Sequence, residues 1–201
     1  MAKITNVIEK QNFEIIRDRI GAVLYTELKN QLQLTDNDIL KCDIFVERNT
    51  PVDKIEVPTI IVSLASINFD NKNQTTVRGT TDYYIDVYTS AVSGSTADGG
   101  QRASLNLHRI AGICRYILEH PAYKTLDFTP GMISNVAVKS LNIRSLQGND
   151  AMNTAMGRIV FSVAATETNG HQCACDLSDY YTNVKIDTSN QGYVYITEKT
   201  T

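Results

Sequence analysis

Hydrophobic residues recur at helical spacing in two stretches of the chain. In residues 12–33 the apolar positions fall three and four residues apart: Phe13, Ile16, Ile20, Val23, Leu24 and Leu28. In residues 101–120 they follow the same spacing: Ala103, Leu107, Ile110, Cys114 and Ile117. The pattern predicts two amphipathic helices. Asn12 is the expected N-cap of the first helix, Asp98 lies near the start of the second, and Pro121 ends it.

Alternation of apolar and polar residues predicts strands in five other stretches: 43–47, 58–66, 75–89, 132–145 and 155–167. Turn-rich segments separate them, so 58–89 and 132–167 are each expected to form an antiparallel hairpin. The alternation changes phase within 132–145, because Val136 and Val138 share one parity while Leu141 and Ile143 share the other. This change predicts a β-bulge near Lys139.

Two helices and runs of antiparallel strands are typical of an α+β fold. We expect an antiparallel sheet built from hairpins, with both helices packed on one face, in residues 1–168. Residues 169–201 are expected to be a C-terminal β extension, because 181–186 and 193–197 resemble a further hairpin or an arm.

The strand predicted at 75–89 has two distinct faces. One carries Val77, Tyr83, Ile85 and Val87, and the other carries Arg78, Asp82, Tyr84, Asp86 and Tyr88. The second face is polar but rich in tyrosine, which protein interfaces favour. It is either a solvated face or a surface covered by another subunit. With Tyr193 and Tyr195 of the extension, these five residues are the predicted subunit-interface residues.

Candidate chemical motifs are incomplete. Gly94 and Gly99 have the spacing of a phosphate-binding loop, but Gly100 and Gln101 stand where a lysine and a hydroxyl residue must follow. His171, Cys173 and Cys175 lack the second cluster that a structural zinc site needs. No nucleophile, base and acid fall into a recognisable set. We therefore expect no catalytic residue, metal or cofactor, and a protein that is not an enzyme.

Composition narrows the possible partners. The net charge of −3 disfavours a groove-binding DNA reader, which is usually basic. No run of 18 apolar residues occurs, so no membrane partner is expected. Four cysteines in 201 residues indicate free thiols in a reducing compartment, with Cys42 and Cys114 as small core residues.

The order of elements over residues 12–168 resembles the tail-terminator proteins of tailed bacteriophages and the related tail-completion and neck proteins. Besides the first helix, four segments carry the resemblance: 57–64 (VPTIIVSL), 81–89 (TDYYIDVYT), 117–121 (ILEHP) and 157–163 (GRIVFSV). Residues from Asn169 onward extend past the part that the family shares.

The resemblance implies a structural virion protein. Its members form a homohexameric ring that caps the tail tube, ends tube polymerisation and joins the head connector. The implied partners are further copies of the chain, the tail tube protein, head connector or neck proteins, and the sheath. DNA would pass the lumen without specific binding, and assembly in the host cytoplasm would place the protein at the tail–neck region of the virion. The alternatives are a connector, neck or tube-like subunit of a phage or injection machine, and a cytosolic binding module.

Overall fold

The computed structural model describes residues 7–48, 57–70, 77–91, 98–145, 154–167, 180–185 and 192–197. The described elements are helices α1 (Asn12–Thr35) and α2 (Gly99–Glu119) and strands β1 (Asp43–Val46), β2 (Thr59–Asp70), β3 (Val77–Ser90), β4 (Ile133–Ser145), β5 (Thr154–Glu167), β6 (Tyr180–Lys185) and β7 (Gly192–Thr197). Contacts within the chain group it into two units, residues 1–169 and 170–201.

In the first unit, strands β1 to β5 form one sheet in the order β1-β2-β3-β5-β4. The hairpins predicted from β2 to β3 and from β4 to β5 are confirmed. The fold is α+β, but the sheet is mixed, because β1 pairs in parallel with β2. The predicted α+β fold, with a sheet built mainly from antiparallel hairpins, is confirmed, and β1 is the parallel exception. Residues 47–58 separate β1 from β2, a connection longer than the tight turn that joins an antiparallel pair.

The core lies between the helices and one face of the sheet. Its fully buried members come from both helices and the central strands, and include Ile16, Ile20, Leu24, Ile60, Tyr83, Ile85, Leu107, Ile110, Ile159 and Phe161. These are the residues that the two periodicities placed inward. Both helices thus cover one face of the sheet, as expected.

The start of α1 differs from its predicted cap. Gln11, not Asn12, is the N-cap, and its backbone N–H donates to the Glu14 carboxylate at 2.9 Å. The Asn12 side chain instead donates to the Thr166 carbonyl at 2.6 Å. Its backbone N–H donates to the Glu167 carboxylate at 3.1 Å. The end of β5 therefore anchors the start of α1.

Gly21, in the middle of α1, marks a close approach to β1. A Cβ at this position would lie 3.1 Å from Cγ2 of Val46. Glycine lowers helix propensity by about 1 kcal/mol relative to alanine. Here it lets the edge strand pack tightly against the helix.

The predicted bulge in β4 is confirmed, because the register with β5 shifts between Val138 and Ser140. A further shift lies between Ile133 and Asn135. None of the described helices is long and apolar enough to span a membrane.

In the second unit, β6 and β7 pair antiparallel, with Tyr193 opposite Val184 and Tyr195 opposite Thr182. The hairpin expected in the C-terminal part is thus present. The phosphate-loop positions 92–97 and the segment with His171, Cys173 and Cys175 lie outside the described residues.

Candidate functional site

The face of the sheet opposite the helices is the candidate interaction surface, and we call it the open face. Tyr83, Ile85 and Val87 of β3 are 0% exposed in the core, so the alternate residues of β3 lie on the open face. These are Arg78, Asp82, Tyr84, Asp86 and Tyr88, the five residues of the first unit that the sequence predicts at a subunit interface. Tyr193 and Tyr195 belong to the second unit, and their side chains lie outside the description.

An ion pair lies in the middle of the open face. Asp86 lies directly opposite Arg158 of β5 in the strand register. The guanidinium group donates from Nε and Nη2 to the two carboxylate oxygens at 2.6 and 2.7 Å. It also stacks over the ring of Tyr84, 4.1 Å from its centroid. Such a two-pronged pair is stronger than a single bond. The hydrogen bonds to Asp86 raise the pKa of Arg158 above its usual value, so the guanidinium group stays charged.

A second ion pair spans three strands. Lys139, the residue at the bulge of β4, donates to Asp82 of β3 at 2.7 and 3.0 Å across β5. Burial acts to raise the pKa of Asp82, but hydrogen bonds from Lys139 and Ser162 outweigh it and hold the pKa below its usual range. The bulge thus directs Lys139 onto the open face.

A small apolar group lies beside these charges. Ile61 of β2 and Met156 of β5 are 6% and 8% exposed, yet neither belongs to the core that the helices cover. Met156 lies opposite Tyr88 in the register. Burial, and then the neighbouring Asp86, raise the pKa of the Tyr88 hydroxyl, so it stays protonated. The open face therefore combines paired charges with tyrosine, methionine and arginine, residue types that are enriched at protein interfaces.

Strand β4 forms an edge of the sheet. Its thirteen residues, Ile133–Ser145, pair on one side with β5, and no other described strand lies on the second side. Leu141 and Ile143 are 39% and 42% exposed there. A long edge with apolar side chains is a template for pairing with another chain. The sequence placed the five β3 residues on the open face, and their position at a subunit interface stays a prediction. It did not predict this edge.

Arg158 and Lys139 are further residues of the open face that sequence reasoning missed. Alternation in 155–167 does place Arg158 on the parity opposite Ile159 and Phe161. The alternation indicates the face on which Arg158 lies, but not the residue with which it pairs. The partner follows from the register between β3 and β5, which only the structure supplies.

The described cysteines have the chemistry of core residues. Cys114 is fully buried and Cys42 is half-buried, which confirms the prediction for both. Burial, and then Asp43, raise the pKa of the Cys42 thiol to about 12, and burial also raises the pKa of the Cys114 thiol. Both therefore remain thiols, which are poor nucleophiles.

Among the known proteins compared, no family model matches the sequence, and no curated protein matches it. One solved structure similar to this chain is a component of the "Virion of native gene transfer agent (GTA) particle". The two share 14% sequence identity over 73% of this chain and 93% of the other, with a TM-score of 0.43.

Proposed function

We propose that this protein is a structural subunit of a phage-type virion: a tail terminator that closes into a homohexameric ring. In this role it caps the tail tube, ends its polymerisation and joins it to the head connector. The observation that carries the proposal is the combination of a sheet face that no described helix covers and a β4 edge that no described strand pairs with, in a chain whose element order resembles that family.

The open edge gives a physical reason for a ring. Backbone donors and acceptors along the free side of β4 gain partners when another subunit pairs with them. The other edge of the sheet is the four-residue strand β1, so the two edges differ in length and direction. Unlike surfaces meet head to tail, and such contacts form a ring when the rotation closes.

The open face fits the same role. Its charges are paired within the chain, at Asp86 with Arg158 and at Asp82 with Lys139. A neighbour that covers this face therefore meets no unpaired charge at these four residues, and covering paired charges costs less than covering unpaired ones. Arg78 is exposed near one end of the face and is available to an acidic group of a neighbour.

The ring is tested by measuring mass in solution, followed by electron microscopy of the assembled particles. We expect a closed oligomer that binds the end of tubes formed by the tube protein and limits their length. The variant Ile143→Lys, at the β4 edge, should weaken assembly by about tenfold or more, since an apolar side chain would lose its cover. Leu105→Lys is the matched control, because Leu105 is an exposed apolar residue of α2 away from the edge.

Assembly into the particle separates the candidate roles. A terminator is found at the head-proximal end of the tail, a connector in the neck and a tube subunit along the whole tail. A chain that stays monomeric at high concentration and does not associate with particles would rule out the ring.

A further inference from the structure

A groove between the two helices has no part in the open face. It measures about 690 Å³ and is lined by residues of α1, of α2 and of the short segment after it, including Glu27, Gln31, Arg109, Ile113, Tyr116 and Tyr123. Tyr123 donates a short hydrogen bond to Glu27 and closes one part of the lining. The rest of the lining combines the apolar Ile113, Ile117 and Ala122 with polar residues, and it borders on Tyr116, which is 70% exposed. The volume falls in the range of clefts that bind ligands or peptide side chains.

The charge of Arg109 in this groove is not paired within the described part of the chain. Arg109 is exposed and forms no ion pair with any residue in the described part of the chain, whereas Glu27 is held by Tyr123. An occupant that suits the groove therefore offers apolar side chains and a carboxylate.

The segment before α1 offers those groups. Val7 and Ile8 are 91% and 71% exposed, two adjacent apolar residues without cover. Glu9 follows them, is exposed, and has no ion pair with a described residue. The residues that join this segment to α1 are held in place. Nζ of Lys10 lies 2.9 Å from Oδ2 of Asp18, and Gln11 caps the helix. We call residues 7–9 the arm.

The arm is too short to reach the α1 side of the groove in its own chain. The five residue-to-residue steps from Val7 to Asn12 span roughly 17 Å when fully extended. Glu27 lies roughly 22 Å along the helix from Asn12, and Gln31 roughly 28 Å. The arm therefore cannot reach Glu27 and Gln31 of its own chain, but the arm of another molecule can.

We propose that the arm of one copy docks in the α1–α2 groove of the next copy. Val7 and Ile8 cover the apolar lining, and the Glu9 carboxylate pairs with Arg109. Each copy gives an arm at one place and receives one at another, so the contact is head to tail and compatible with a ring. This inference rests on the self-assembly proposed above and assigns it a second contact, separate from the sheet.

Disulfide trapping tests the contact directly. Gly112 faces open space in the groove, with no atom within 4 Å of an added Cβ, so Gly112→Cys leaves the helix undisturbed. Val7→Cys and Gly112→Cys are made on separate full-length chains, each with Cys173→Ser and Cys175→Ser, then mixed and oxidised. We expect a covalent dimer of the two variants. Val7→Cys mixed with Ser134→Cys, an exposed site away from the groove, should give none.

Exchanging the charges of Glu9 and Arg109 tests the proposed ion pair between them. Glu9→Arg and Arg109→Glu should each weaken assembly by about two- to fivefold, and the two together should restore it. Val7→Asp should weaken it by about tenfold or more, because the apolar cover is lost. Leu105→Asp, on α2 outside the groove lining, should leave it unchanged.

The outcomes separate this inference from the proposed ring. Two results would overturn the arm contact but not the ring. One is a ring of normal mass without a disulfide between the cysteines at positions 7 and 112, and the other is assembly that the charge exchange does not change. A disulfide that forms only within one chain carrying both cysteines also overturns it. A wild-type chain that stays monomeric overturns both.

Discussion

At the scale of single residues, Glu167 links the end of the sheet to the start of α1. It is 3% exposed, and one carboxylate oxygen accepts from the Asn12 N–H. The other oxygen, Oε1, has no hydrogen-bond partner. Burial raises the pKa of Glu167 above its usual value, although backbone bonds from Asn12 and Phe13 act against the shift. An ionised Glu167 therefore costs stability, while its bond to the helix start contributes to it.

The variant Glu167→Gln should show whether the cost of burying the charge exceeds the contribution of its hydrogen bond to the helix start. The folded pKa is raised, so the cost of the charge is present above the folded pKa and disappears as the pH falls below the unfolded pKa. We expect the variant to be more stable than the wild type at about pH 8, with the difference closing towards about pH 4. Urea unfolding at a series of pH values measures it.

The control for this test is Glu167→Ala, which removes the acceptor as well as the charge. It should cost about 1–3 kcal/mol, because the helix start loses its partner. A glutamine variant that is less stable than the wild type at high pH would mean that the attraction of the helix N-terminus for the anion outweighs burial.

At the scale of elements, the bulge in β4 reconciles two requirements. Val136 and Val138 lie opposite Val163 and Phe161, on the core side of β5. Leu141, three residues after Val138, lies opposite Ile159 on the same side. One extra residue, Lys139, makes this possible, and its ammonium group reaches Asp82. The bulge therefore keeps the apolar side chains inward and places a cation on the open face.

Deleting Lys139 should be tolerated. Val138 would then be followed directly by Ser140, and a regular ladder would keep every apolar residue of β4 on its present face. We expect a loss of about 1 kcal/mol or less, from the partly exposed ion pair with Asp82. That pair contributes while Asp82 is ionised, so its contribution is lost as the pH falls through the lowered pKa of Asp82. Thermal or urea unfolding at neutral and acidic pH measures both effects.

Deleting Ala137 is the matched control, since it also removes one residue from the same strand. If the flanking residues keep their partners, Val138 moves to the open face and Lys139 towards the core. Val138 is partly buried, so the loss of its burial should cost up to about 1.5 kcal/mol, and the move of the Lys139 charge towards the core adds to this cost. Equal losses for the two deletions would show that the bulge is not the element that sets the two faces.

At the scale of the whole molecule, the first unit contains a complete core. Every buried residue of the hydrophobic cluster falls between Ile16 and Ala165. The described part of the second unit is one hairpin of two six-residue strands. A hairpin of that size is marginally stable alone, so it needs a surface to pack on. The assignment of residues 1–168 to a tail-terminator-like domain and of 169–201 to a β extension stays a prediction.

Removal of residues 170–201 should therefore leave a folded first unit. We expect a cooperative thermal transition within a few degrees of the full-length protein, since the core is kept. If the extension stabilises the ring, the truncated chain should assemble more weakly at equal concentration. Calorimetry and mass measurement check the two parts. A truncated chain without a cooperative transition would contradict the division.

The sequence by itself determined the features that depend on neighbours along the chain. Helical spacing located α1 and α2 and the stripe that each buries. Alternation located the strands, the two faces of β3 and the bulge in β4. These features could be predicted because the helix and strand periodicities are properties of the local backbone.

Tertiary structure alone decided the partners. The sequence did not pair Asp86 with Arg158, 72 positions away, or the helix start at Asn12 with Glu167, 155 positions away. It did not show the parallel placement of β1 or the exposed edge of β4. Each depends on strand order and register, which are set by how the apolar faces pack together, and no local spacing encodes that choice.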